Sequence, residues 1–115
     1  MAVSTQVLQT SSSWNGVAYE PYPDGTPQLT VVRYSIPANS SLPWHVHHMP
    51  SAAYVISAQI TVEEQTTGRT LIVRAGEAFA ESVGSVHRGY TGDEPAEILA
   101  TYSGREGLPL SVQEG

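Results

Sequence analysis

Short apolar runs separated by turn residues are the feature that most constrains the fold of this chain. No window places apolar residues at i, i+3, i+4 and i+7 over three turns, whereas period-two or wholly apolar runs recur throughout. The clearest runs are Leu29 to Ile36, Ala52 to Ile56, Gln59 to Glu63, Thr70 to Val73, Ala78 to Glu81, Val86 to Tyr90 and Ala96 to Tyr102. Glycine, proline and asparagine lie between these runs. The pattern predicts an all-β chain.

The connections between the runs leave no room for helical crossovers, so we expect antiparallel pairing. A strand about every ten residues is typical of a sandwich or closed barrel, and a jelly-roll barrel fits best. The 115 residues correspond to a single domain. Within it we expect a barrel core over 29–102, an N-terminal arm over 1–13 that adds an edge strand or is exchanged between protomers, and a loose C-terminal tail over 104–115.

Charge and composition argue against several classes of protein. Five arginines and no lysine face 11 acidic residues, and a net charge of −6 has the wrong sign for binding nucleic acid. The lack of cysteine excludes disulfides and thiolate ligands. We find no phosphate-cradling glycine loop and no Gly-x-Ser-x-Gly elbow, which disfavours kinases and serine hydrolases. No apolar run is long enough to span a membrane, so we expect a cytoplasmic protein, with a removed signal peptide as the alternative.

Three of the four histidines lie within four positions of one another. In a strand, His45 and His47 point to one face and His48 to the other. Two imidazoles on one wall make half of a metal site, and His87 is the one histidine left to complete it. Such a centre suits iron, zinc, nickel or manganese and leaves coordination positions open for a substrate.

The region around these histidines resembles the two sequence motifs of the cupin superfamily. The first, Gly-x5-His-x-His-x3,4-Glu-x6-Gly, is matched by His45 and His47. The second, Gly-x5-Pro-x-Gly-x2-His-x3-Asn, is matched in register by Gly76, Gly84 and His87. Together the motifs and the strands between them cover some two-thirds of the chain, from 37 to 102. The resemblance implies a cupin-type jelly roll that binds a divalent metal.

The chain departs from the motifs at several positions. Ser51 stands where the family has its glutamate ligand, Ala58 replaces the later glycine, Ser82 replaces proline, and Thr91 replaces asparagine. Cupins with three histidines and no acidic ligand are known as a class that includes dioxygenases. The resemblance therefore implies a three-histidine site, with weaker metal binding than in cupins that keep the glutamate.

Glu81 is the acidic residue that could compensate for the missing ligand. It lies six positions before His87, at the end of the strand that enters the next turn. Similar glutamates occur in three-histidine cupin dioxygenases, and there the resemblance implies an outer-shell role. In that role the carboxylate accepts the N–H of the ring nitrogen remote from the metal and fixes the tautomer. Direct ligation by Glu81 and pairing with Arg88 are the alternatives.

Several further residues are candidates for the lining of a substrate pocket. They are Trp44, Met49, Ser51, Tyr54, Phe79, Tyr90 and Tyr102. Aromatic and thioether side chains of an all-β core more often pack than bind substrate, so we expect about half of them to reach a ligand. His48 is expected at the surface, and Arg33 and Arg88 are expected in surface ion pairs.

The sequence therefore favours a metal-dependent enzyme for a small organic substrate, with His45, His47 and His87 as ligands. An Fe(II) dioxygenase is the first interpretation. A zinc, nickel or manganese centre acting as a Lewis acid in an isomerase, lyase or cyclase is the second. A non-catalytic module that binds a small molecule or a metal is the third, since fold does not confer function. Because small cupins commonly pair through outer strands, we also expect a homodimer.

Overall fold

The computed structural model describes residues 1–114, which contain nine β-strands and no helix. The strands are β1 (Pro27–Ile36), β2 (His45–Val46), β3 (Ser51–Ser57), β4 (Gln59–Glu64), β5 (Thr70–Arg74), β6 (Ala78–Ala80), β7 (His87–Tyr90), β8 (Ala96–Arg105) and β9 (Val112–Gln113). All seven predicted runs form strands, and the all-β prediction is confirmed. Among the residues described, no helix offers the length and hydropathy that crossing a bilayer requires.

The strands form two antiparallel sheets in the arrangement of a jelly roll. The first sheet has the order β1-β8-β3-β6, and the second has the order β5-β4-β7-β2-β9. The longest pairing joins β1 to β8 over ten residues, from Pro27 opposite Arg105 to Ile36 opposite Ala96. Apart from the β4–β5 hairpin, strands that pair in the sheets are distant in the chain, as expected for a jelly roll rather than a meander.

Side chains alternate between the two faces of each strand, and the inner faces of both sheets form one core. On β8 the buried residues are Ala96, Ile98, Ala100 and Tyr102, while the residues between them are more exposed. On β4, Ile60 and Val62 are buried in the same way from the opposite sheet. Burial of such side chains contributes about 1.5–3 kcal/mol each to folding. The period-two pattern of the sequence thus defines the inside of the molecule.

Two glycine positions of the sequence motifs have a left-handed backbone, and one of them is occupied by alanine. Ala58, which replaces a motif glycine in the β3–β4 turn, has a φ of 61°. Gly84, which matches its motif, has a φ of 80° in the loop before β7. A left-handed alanine costs about 1–2 kcal/mol relative to a right-handed one. The tight β3–β4 turn is therefore kept at the expense of local strain.

The N-terminal segment forms no strand between residues 1 and 11, all of which are exposed. The next residues fold back on themselves, because Ser13 N donates to Val17 O and Tyr19 N donates to Ser11 O. This hairpin packs beside the edge strand β6, where Trp14 N donates to Ala80 O at 3.0 Å. Residues 1–13 therefore do not form the predicted additional edge strand, and the hairpin covers the sheet edge in its place.

The prediction of a loose C-terminal tail was wrong. Gly104 and Arg105 belong to β8, and β9 pairs antiparallel with β2, where Gln113 lies opposite His45. Leu108 and Leu110 pack against the core between these strands. Apolar residues alternate at 108, 110 and 112, as in a strand. Gly107 and Pro109 are turn residues, and their presence in the same segment led to the prediction of a tail.

A buried carboxylate joins the N-terminal hairpin to the second sheet. Glu64 Oε2 accepts from Asn15 Nδ2 at 2.6 Å and from Ser85 Oγ at 2.7 Å, and its Oε1 accepts from Thr67 Oγ1 at 2.7 Å. These hydrogen bonds, with that from Thr67 as the largest cause, lower the pKa of Glu64. The carboxylate is therefore ionised and fully partnered at neutral pH.

Replacing Glu64 by alanine should destabilise the fold, because three donors lose their common acceptor. We expect a loss of about 2 kcal/mol, or a melting temperature lower by about 5–10 °C in thermal denaturation followed by circular dichroism. The control is Glu94→Ala, at an exposed position, which should shift the melting temperature by less than about 2 °C. Equal shifts for the two variants would contradict the role given to Glu64.

Candidate metal centre

Three histidines and one glutamate converge between the two sheets. His45 begins β2, His47 follows its end, His87 begins β7, and Glu81 follows β6. One ligand atom from each of the four side chains lies within 4.8 Å of all the others. The ring centroids of the histidines are 4.4–5.0 Å apart. The shortest of these distances joins His45 and His87, which are direct cross-strand partners. The predicted convergence of the three imidazoles is thus present in the structure.

Backbone carbonyls fix the orientation of all three imidazoles. The Nδ1 of His45 lies 2.7 Å from Pro43 O, that of His47 lies 2.8 Å from Leu110 O, and that of His87 lies 2.9 Å from Ser85 O. A carbonyl oxygen can only accept, so each Nδ1 must carry the proton and donate. The neutral rings therefore have an unprotonated Nε2, which is the form that ligates a metal.

The buried Nε2 atoms meet the carboxylate of Glu81. The Nε2 of His47 lies 2.8 Å from Glu81 Oε2, and that of His87 lies 3.5 Å from Glu81 Oε1. Both histidines are 1% exposed, and neither Nε2 atom has a hydrogen bond of acceptable geometry. Buried nitrogen atoms without partners are costly. A cation among these atoms would satisfy them, so the donor set fits a divalent metal.

Burial and mutual contact shift the pKa values of His45, Glu81 and His87. Burial lowers the pKa of His45, which favours its neutral form. Burial alone would raise the pKa of Glu81, but its contacts with His47 and His87 outweigh burial and lower it. Burial opposes protonation of His87, yet the contact with Glu81 raises its pKa overall. Glu81 is therefore held as an anion by its contacts with His47 and His87.

The outer-shell position expected for Glu81 is not the one that the structure shows. That role needs the carboxylate at the Nδ1 atoms, where backbone carbonyls are found instead. Glu81 lies on the Nε2 side, among the atoms that would face a metal. Its backbone N–H donates to Ser51 O at 2.9 Å, so it is the cross-strand neighbour of the serine at the family's glutamate position. The carboxylate reaches the site from β6 rather than from β3.

A cavity of about 200 Å³ opens beside the four donors. Its walls are mainly apolar and come from both sheets. Besides the donors themselves, the lining includes Tyr34, Leu42, Pro43, Ala53, Ile60, Val62, Phe79, Gly89, Ile98, Ala100, Tyr102, Ser111 and Gln113. Of the seven predicted pocket residues, Phe79 and Tyr102 line this cavity. A small organic molecule would fit next to the donors, with apolar contacts on most of its surface.

The other five predicted pocket residues lie elsewhere. Trp44 and Tyr90 are on the outside of the second sheet, where the Arg88 guanidinium lies 4.3 Å from the Trp44 ring centroid. Tyr54 points outward from β3 and is 39% exposed. Met49 is fully buried in the core, and Ser51 is buried without lining this cavity.

Strand parity explains the errors at three of these positions. Tyr90 is three residues from His87, and Trp44 is one residue from His45, so each points away from its histidine. Tyr54 lies between the buried residues Ala53 and Val55, so its side chain is on the opposite, outer face of β3. The same rule applied to β1 would have selected Tyr34, whose neighbours Arg33 and Ser35 are polar.

Three residues that the sequence placed at the surface are found there. His48 is exposed and takes no part in the cluster. Arg33 pairs with Glu97, and Arg88 pairs with Glu63, each at 3.0 Å. No arginine lines the cavity.

Comparison with known proteins gives a family and several similar folds. The cupin domain model matches residues 32–102. No curated protein matches the chain by sequence. A DMSP lyase, DddQ, from Ruegeria pomeroyi is 18% identical with a TM-score of 0.65, over 74% of this chain and 42% of its own. The polyketide cyclase RemF from Streptomyces resistomycificus is 23% identical with a TM-score of 0.64, over 76% and 61%.

A cupin-like protein from Thermotoga maritima is 17% identical with a TM-score of 0.66, over 76% of this chain and 65% of its own. The chain thus spans less than two-thirds of the length of each of these three proteins. At such low identity, these likenesses concern the fold alone. The family model, however, covers more than half of the chain and includes all four clustered residues. The chain belongs to the cupin family.

Proposed function

We propose that this protein is a divalent-metal-dependent enzyme that acts on a small organic molecule in the cavity beside His45, His47, Glu81 and His87. The observation that carries the proposal is the pair of buried Nε2 atoms of His47 and His87, which have no hydrogen-bond partner within residues 1–114 and lie in one cluster with His45 and Glu81. Carbonyl-fixed tautomers and an ionised carboxylate supply the donor types that transition metals prefer. The adjoining apolar cavity supplies a place for substrate.

Each group of this chain has a defined part in the proposed site. The three Nε2 atoms and one oxygen of Glu81 would hold the metal, which would supply Lewis acidity or redox chemistry when bound. The carbonyls of Pro43, Leu110 and Ser85 hold the rings in place. Apolar residues from both sheets exclude bulk water and orient the substrate, so that its polar end faces the donors.

Non-redox Lewis-acid chemistry, as in a lyase, cyclase or isomerase, is our first candidate for the reaction. The preference for a three-histidine dioxygenase rests on the absence of the motif's carboxylate. Glu81 supplies a carboxylate to the cluster from another strand, which weakens that preference. Two proteins of similar fold are a DMSP lyase and a polyketide cyclase. An Fe(II) dioxygenase is the second candidate, favoured by the three imidazoles and the open cavity beside them.

Metal binding gives the first test of this proposal. Protein purified without chelator and dialysed against Fe(II), Mn(II), Ni(II) or Zn(II) should hold about one ion per chain with at least one of these metals, as measured by inductively coupled plasma mass spectrometry. Glu81→Gln should weaken binding at least about tenfold, because it removes a charged donor. The matched control is His48→Ala, which removes the exposed histidine beside the cluster and should bind like the wild type. Metal-free wild-type protein would refute the site.

Turnover separates the two reaction classes from a binding module. We expect metal-reconstituted protein to convert at least one member of a panel of small carbonyl compounds without consuming oxygen. Product formation is measured by mass spectrometry, and oxygen uptake is measured with an oxygen electrode. His87→Ala should abolish that conversion, while His48→Ala should retain it. Oxygen consumed in proportion to product would favour the dioxygenase. Tight ligand binding without product under every metal would instead indicate a non-catalytic module.

We also propose that two copies of the chain associate through the outer face of the first sheet. On this face Leu29 and Val31 of β1 are 84% and 62% exposed, and Tyr54 of β3 is 39% exposed. β1 is an edge strand of ten residues whose outer edge pairs with no other strand in the part of the chain that is described. A two-fold axis would bring the same apolar face of both copies together.

Light scattering coupled to size exclusion should therefore give about twice the 12.3 kDa chain mass. Val31→Lys should shift the protein to monomer, because it places a charge within the proposed interface. Ile72→Lys, at an exposed apolar position of the other sheet, is the matched control and should leave the dimer intact. A monomeric wild type at micromolar concentration would contradict the proposal.

A further inference from the structure

Two tyrosines from neighbouring strands form a hydroxyl pair in the cavity. Tyr34 on β1 and Tyr102 on β8 both line it, and their hydroxyl oxygens are 2.8 Å apart. Tyr102 is 2% exposed, and its ring centroid lies 5.6 Å from that of His47. The pair therefore stands in the same cavity as the metal donors, on the wall formed by the first sheet.

One of the two hydroxyl hydrogens has no acceptor within the pair. One hydroxyl donates to the other, and within residues 1–114 neither group has a second hydrogen-bond partner. Burial, followed by the hydrogen bond with Tyr34, raises the pKa of Tyr102, so that the hydroxyl stays protonated. Tyr34 is half-buried and Tyr102 is buried, and a phenol enclosed in this way normally finds a partner for its hydrogen. A molecule bound in the cavity could therefore supply the acceptor for this hydrogen.

The charges around the cavity limit what that acceptor can belong to. Glu81 is the sole acidic residue of the lining, and no arginine or lysine contributes to it. If the proposed function holds, a divalent ion and one carboxylate leave a net charge of +1 in an apolar cavity. A monoanion bound to the metal would neutralise this charge without a cationic side chain.

We infer that Tyr34 and Tyr102 are the specificity-determining residues of the site, and that they donate a hydrogen bond to a second oxygen of a small monoanionic oxo compound. The anionic end of the molecule lies on the metal side of the cavity, and its distal carbonyl faces the tyrosine pair. This inference rests on the proposed function for the metal. It adds the class of ligand, a small oxo acid with a distal oxygen, and the residues that select it.

A matched pair of ligands tests the inference on Co(II)-loaded protein. Pyruvate offers a carboxylate and one adjacent carbonyl, and acetopyruvate adds a distal carbonyl to the same anionic end. Cobalt loading is measured first from the absorption spectrum, and affinities follow from isothermal titration calorimetry. We expect acetopyruvate to bind more tightly than pyruvate. Tyr34→Phe and Tyr102→Phe should each weaken acetopyruvate about tenfold, which is the loss of one hydrogen bond, and should leave pyruvate within about twofold.

Phenylalanine keeps the ring packing, and Tyr22→Phe, at a 69% exposed position outside the cavity, is the control that should change neither affinity. Equal losses for both ligands, unchanged acetopyruvate affinity, or failure of both anions to bind the cobalt-loaded protein would overturn the inference. Each of these results would leave the metal site standing. Failure of cobalt itself to bind would overturn the proposed function together with this inference, and the loading spectrum distinguishes that case from the others.

Discussion

Three backbone carbonyls that accept the Nδ1–H of three histidines are the interaction on which the site depends. They set the tautomer of each ring and leave each Nε2 unprotonated, in a cluster with Glu81 whose ligand atoms lie within 4.8 Å of one another. Without these acceptors, buried imidazoles would have neither a fixed proton nor a fixed orientation. The same contacts explain why a carboxylate is not needed behind the rings and is free to stand among the donors.

The jelly roll brings these groups together from separate parts of the chain. β2 and β7 pair so that His45 faces His87, and β6 of the other sheet delivers Glu81. The C-terminal segment completes the arrangement, because β9 pairs with β2 and Leu110 supplies the carbonyl for His47. A segment with little periodicity of its own thus orients a histidine of the cluster more than sixty positions earlier in the sequence. The cavity and its tyrosine pair lie directly beside this assembly.

Much of this fold and site could be predicted from the sequence, because strand periodicity and motif spacing are local properties of the chain. Alternation located seven strands, and the spacing of the motifs selected the three histidines. The sequence left outer-shell and direct roles for Glu81 open, because which side of an imidazole a carboxylate approaches depends on register between strands. β9 was missed because Gly107 and Pro109 hide a short alternation, and its pairing with β2 is a tertiary contact. Residue type alone misled for the outward-facing aromatic residues Trp44, Tyr54 and Tyr90, since aromatic character does not tell which face of a strand a side chain occupies.

A crystal structure of the zinc-loaded protein, with data collected on both sides of the zinc absorption edge, tests the central claim most directly. The account predicts one anomalous peak per chain, about 2.0–2.2 Å from the Nε2 atoms of His45, His47 and His87 and from a carboxylate oxygen of Glu81. It also predicts that the three Nδ1 contacts with backbone carbonyls persist. An anomalous peak elsewhere, or ligation through Nδ1, would contradict it.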